Sequence, residues 1–222
     1  MPTPSSRAET LSDANSGARW GGLLSLLIVA ILVVPLFGST VVTELSSLAL
    51  FQVAVIGALA HAAAPGRHRV FFFGISAAWF VLITISTAVD ALFGPAMLLS
   101  AILLIAALWA TFANLVDARA GNIDNLMGAV FGYLLLAVAW AILFMQMERL
   151  HPGSFTIEEN ADLSSTMIYF SLVTLTTLGY GDILPQTRLA EIAAGLEAVV
   201  GVLYIAVMVG SIVGTYKRDD TR

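Results

Sequence analysis

The sequence predicts an all-α membrane protein: six transmembrane helices, with a short re-entrant helix between the fifth and the sixth. Three observations carry this expectation. Of the 222 residues, 59% are hydrophobic and only 11% charged, whereas soluble chains sit near ~45–50% apolar and ~25% charged, so a bilayer suits this surface and water does not. The apolar residues gather into six runs, at 20–37, 45–64, 70–93, 95–116, 126–147 and 189–215, each close to the roughly 20 residues that cross a hydrocarbon core. A further apolar stretch, 163–176, has fourteen residues, too few to span and enough to enter and stop.

Taken in order, residues 1–19 are rich in Ser, Ala, Thr and charge and are expected to be a disordered segment. The apolar run behind them is span-length and lacks a clear small-residue cleavage site, so it reads as an uncleaved first span. The breaks between runs carry turn chemistry, at Gly38-Ser39-Thr40, Ala64-Pro65-Gly66, Phe93-Gly94-Pro95 and Gly121-Asn122. The expected organisation is a four-helix membrane domain over 20–116, a linker at 117–125, a second membrane domain over 126–216 and a short tail at 217–222. Asp162 or Ser164 is placed to cap the short helix.

Orientation follows from the basic residues. With the N-terminus in the cytosol, the cytosolic segments hold Arg7, Arg19, Arg67, Arg69, Arg119, Lys217, Arg218 and Arg222, and the outside keeps Arg149 and Arg188. Eight against two is the bias of the positive-inside rule, which puts both termini in the cytosol and the chain in the plasma membrane. The outer side then collects Glu44, Asp90, Glu148, Glu158, Glu159, Asp162 and Asp182. Acids at an entrance raise the local concentration of cations. A formal charge of −5 argues against nucleic acid, and the absence of cysteine excludes disulfides and thiolate metal sites.

The run Thr177-Leu178-Gly179-Tyr180-Gly181 carries the chemistry. Non-helical backbone at membrane depth is tolerated where it is buried in protein or lines a watery path. Alternate glycines reach backbone angles closed to other residues, so successive carbonyls can face one axis and replace the hydration shell of a cation. The Thr177 hydroxyl adds an oxygen at the inner end, and Tyr180 packs outward to brace the ring.

This segment, T-L-G-Y-G-D, resembles the selectivity filter of potassium channels, whose usual form has Val or Ile where Leu178 stands. Thr174 and Thr176 match the threonines frequent in that family's pore helix. Pro185 falls where a proline often opens the inner helix, and Gly201 lies at the spacing of a hinge glycine. The resemblance is sharp over 162–215; the first four spans match in arrangement only. It implies a homotetramer of six-span, one-pore-loop subunits, with K+ held by oxygens of Thr177, Leu178, Gly179 and Tyr180 and no cofactor or enzymatic activity. One filter strand cannot surround an ion, and the chain has one such motif, so four copies are expected, in closed symmetry.

Departures from the family are informative. Some potassium channels brace the acid after the filter with a pore-helix glutamate; here that place is Val173, and Tyr169 is the expected partner of Asp182 by spacing. The fourth run contains no Lys or Arg, where voltage-sensing members carry a row of arginines, so strong voltage gating is not expected. Glu197, inside the sixth run, is a functional candidate by default, either supporting the filter from behind or facing the cavity, the first being favoured. His61 reads as interfacial, and Asn114 and Asp117 as helix-end caps. His61, His68 and His151 fall on two membrane faces and cannot form one site. The alternatives are a non-selective cation channel, in which the tyrosine or a glycine would be altered, and a potassium transporter subunit, which would carry four degenerate pore loops in one chain.

Overall fold

A computed structural model of the chain describes residues 4–38, 40–62, 67–86, 93–117 and 123–219. Among these the protein is helical: α1 (Pro4–Phe37), α2 (Val41–Ala62), α3 (Arg67–Ser86), α4 (Phe93–Asp117), α5 (Ile123–Leu150), α6 (Leu163–Leu175) and α7 (Arg188–Asp219). No strand occurs among the described residues, and one isolated antiparallel bridge joins Phe155 to Pro185. Among the described residues, four helical segments are long and apolar enough to cross a membrane: Trp20–Phe37, Val41–Ala60, Leu126–Leu150 and Arg188–Val209. Helices α3 and α4, of 20 and 25 residues, lie at the third and fourth expected spans. Asp90 and Arg119 lie outside the described residues, as do the side chains of His61, His68, Asn114 and Asp117.

The first helix corrects one expectation. It begins at Pro4, not at Trp20, so helix runs through the segment expected to be disordered. Proline is at home in the first helical turn, and the alanines, leucine and glutamate that follow carry good helix propensity, which the polarity of the segment masked.

The chain divides into two compact units, residues 1–30 with 45–132, and residues 31–44 with 133–222. In the first, small residues let helices approach closely, the usual solution where lipid removes the hydrophobic drive between them. A Cβ on Gly57 of α2 would fall 2.2 Å from Leu23 of α1, and the α2 residues Ala54 and Ala58 are fully buried. The Ser47 hydroxyl donates to the Ala30 carbonyl at 2.7 Å. Trp20 lies over Gly128 and against Phe131, with ring centroids 5.6 Å apart. The Trp79 indole N–H of α3 donates to the Ser100 hydroxyl of α4, which donates in turn to the Ala96 carbonyl at 2.8 Å.

The second unit packs α5, α6 and α7 around one apolar centre. Phe144 of α5, Phe155 of the loop and Phe170 of α6 meet edge to face, with centroids 5.1–5.5 Å apart, a geometry that aromatic quadrupoles favour. Met167, Ala141, Ala190 and Ala193 complete the cluster. This centre packs the base on which the loop after α6 stands.

Candidate functional site

The short helix α6 starts at Asp162, whose carboxylate accepts from the Ser165 backbone N–H at 2.8 Å. Of the two caps the sequence left open, Asp162 is the one used. At ~1.5 Å per residue, its 13 residues reach about 20 Å, well under a ~30 Å hydrocarbon core.

At the far end of α6 the backbone changes character. Thr177, Gly179 and Gly181 have φ of 58°, 52° and 77°, and Thr177 is the one described non-glycine with positive φ. Leu178 and Tyr180 between them do not. Alternation of hand turns successive peptides the same way, setting carbonyls on one side and N–H groups on the other. Three of the N–H groups turn back to α6: Thr177 donates to the Thr174 carbonyl at 2.9 Å, and Leu178 and Gly179 both donate to the Val173 carbonyl, at 2.9 and 3.2 Å. The start of the segment is therefore tethered to the last turn of α6 through the amides of residues 177–179, and residues 176–181 are exposed. The Thr176 hydroxyl turns back to the Leu172 carbonyl at 2.7 Å and so serves the helix end.

Beyond residues 177–181, the Tyr169 hydroxyl donates to the Asp182 carboxylate at 2.6 Å, and the Ile183 N–H donates to its other oxygen at 3.1 Å. The tyrosine bond, foremost, holds the Asp182 carboxyl below its ordinary range. The partner expected from spacing is thus the one in contact. The exit loop is docked on the segment before α6. Thr156 N–H donates to the Leu184 carbonyl at 3.0 Å, Leu184 N–H to the Thr156 hydroxyl at 2.7 Å, and Gln186 N–H to the Ser154 carbonyl at 2.7 Å. Glu148 anchors that segment by accepting from Gly153 and Phe155 N–H, at 2.7 and 3.0 Å. Three of the acids expected on the outer side, Glu148, Asp162 and Asp182, therefore have specific partners, while Glu158 and Glu159 stay exposed.

Behind α6 lie contacts that the sequence reading missed. The Tyr133 hydroxyl of α5 donates to the Leu175 carbonyl at 3.0 Å, and its ring lies 5.4 Å from that of Tyr204. Ser171 of α6 touches both the Ala137 carbonyl of α5 and the Glu197 carboxyl of α7. Glu197 is fully buried, which places it behind the short helix and not in a cavity. A polar group inside an apolar run must find a partner, and that was the available signal for Tyr133 and Ser171. Gly201 lies where α7 passes the end of α6: a Cβ there would stand 2.1 Å from the Leu175 carbonyl oxygen. Close approach accounts for this glycine, and α7 continues as helix through it.

Comparison with known proteins bears on the same region. A family model described as "ion channel" matches residues 128–218. The chain is similar to the potassium voltage-gated channel protein Shal of Drosophila melanogaster, 32% identical over 87 residues, which are 39% of this chain and 15% of that protein. It is similar also to the voltage-gated potassium channel regulatory subunit KCNF1 of Rattus norvegicus and of Homo sapiens, 30% identical over 93 residues, 41% of this chain and 18% of each relative. The chain thus spans less than a fifth of the length of these relatives. Residues 128–218 thus match an ion channel domain, and over this part the chain is similar to potassium channels.

Proposed function

We propose that this chain is the subunit of a potassium-selective channel in which four copies set their 177–181 segments around one axis and pass K+ passively. The observation that carries this reading is the alternation of φ at Thr177, Gly179 and Gly181 together with amides tied back to α6, which leaves carbonyls free to take the place of ion hydration. The exposure of Leu178 and Tyr180, 55% and 67%, fits side chains whose packing partners belong to neighbouring subunits. In this reading α1–α4 and the two helices flanking the filter are the six spans, and both termini face the cytosol of a plasma membrane. K+ is the permeant ion and no cofactor takes part.

The deciding experiment is cation flux into liposomes containing purified protein. Potassium and rubidium pass and sodium is strongly rejected, and Gly179→Ala abolishes the flux. Equal sodium and potassium flux makes the protein a non-selective cation channel. Absent flux from a well-assembled protein makes it a regulatory subunit, the role named for the KCNF1 relatives.

A further inference from the structure

Hydrogen counting behind the short helix leads to the proton on Glu197. Ser171 Oγ lies 2.7 Å from the Ala137 carbonyl oxygen and at closer range to Glu197 Oε1. A serine hydroxyl has one hydrogen to give and two lone pairs, and a backbone carbonyl only accepts. If Glu197 were a carboxylate, one of these two short contacts would set oxygen lone pairs against each other. Glu197 Oε2 is buried without a partner, and Ser171 is the only group bonded to the side chain among the described residues. The titratable neighbours are Tyr133 on α5, whose hydroxyl is committed to the Leu175 carbonyl, and Tyr204 on α7, whose ring lies tilted against that of Tyr133. Neither supplies positive charge. A buried carboxylate with neither cation nor full hydrogen bonding is far costlier than a neutral acid with one bare carbonyl oxygen.

We infer that Glu197 is the neutral acid and donates through Oε1 to Ser171, which donates in turn to the Ala137 carbonyl. The result is a directional chain from α7 through α6 to α5. Every hydrogen in it has one place to go, and it pins the middle of the short helix six residues before Thr177. Glu197 is then a positioning residue for the filter segment. Its effect on flux rests on the channel reading; its protonation does not.

The test is infrared spectroscopy of the full-length protein at neutral pH with carboxyl-labelled glutamate. The expected result is a protonated-acid carbonyl band that shifts with the label, vanishes in Glu197→Gln and moves in Ser171→Ala. A Glu197 signal found only among the carboxylate bands overturns the inference. Flux supplies the second arm. Glu197→Gln keeps an N–H donor toward Ser171 and is expected to conduct within about twofold of wild type, whereas Glu197→Ala, which removes the link from α7 to Ser171, falls by about tenfold or more. Equal loss in both variants would mean that a negative charge is what the site needs, and would overturn the assignment. Absence of flux in wild type would strike the channel reading and leave the infrared result to decide the proton.

Discussion

Two single residues show how little freedom the filter region has. At Gly201, the Leu175 carbonyl oxygen lies 2.1 Å from where a Cβ would stand, and that oxygen is also held by Tyr133. Backbone cannot yield as a flexible side chain does, so Gly201→Ala is expected to destabilise by about 1–3 kcal/mol through overpacking. Thermal melting of the detergent-solubilised protein is the measurement, and an unchanged melt would show that α7 slides freely past α6. At Asp182, the Tyr169 hydroxyl depresses the carboxyl titration. The sign is that of a lowered acid: the contribution is fully present above the ordinary carboxylate range and is lost as outer pH falls through the depressed value. Tyr169→Phe removes the largest cause of that depression. Potassium flux in the variant is therefore expected to fail at a higher outer pH than in wild type, and identical acid profiles would free Asp182 from any part in it.

At the level of elements, the segment between α5 and α6 acts as a clasp on the loop that follows residues 177–181. Its fold depends on Glu148, whose two carboxylate oxygens each take a backbone N–H, and on Phe155, which closes the aromatic cluster. Glu148→Ala leaves both amides without this partner, whereas Glu148→Gln keeps one good acceptor. Losses of about 1 kcal/mol per hydrogen bond imply a graded series, wild type above Gln above Ala, in thermal stability. Equal stability of all three would show that water substitutes fully for the carboxylate. How far the elements were legible in the sequence depends on the range of their contacts. Helix α6, its Asp162 cap and the Tyr169 contact with Asp182 were readable because capping is local and the tyrosine lies 13 residues from its acid. Tyr133 and Ser171 were not, since their partners lie 42, 34 and 26 residues away and no spacing rule reaches that far. The N-terminal helix was misjudged for the opposite reason: composition was read as disorder where local propensity sufficed for helix.

The whole molecule sets the terms of gating. Assembly comes first: a particle of four 23.5 kDa subunits in mild detergent is the expected state, and a conducting, selective monomer or dimer would be incompatible with one filter strand per chain. Voltage sensitivity follows from the charges on α2, α3 and α4. Moving one elementary charge across the membrane is worth about 2.3 kcal/mol per 100 mV, and steep gating sums several such charges from each of four subunits. Helix α4, from Phe93 to Asp117, carries no Lys or Arg along its length, and the basic residues of α3, Arg67 and Arg69, stand in its first turn. Glu44 likewise stands in the first turn of α2. Charges at helix ends stay near the headgroups and cross little of the field. On the proposed channel reading, the voltage dependence that remains is expected to come from ions entering the pore, and to belong to the ion as much as to the protein. Open probability is expected to change shallowly from negative to positive potential in planar bilayers, and replacing potassium with rubidium is expected to alter the slope. A steep activation curve indifferent to the permeant ion would require a charge-moving helix, which α4 does not provide.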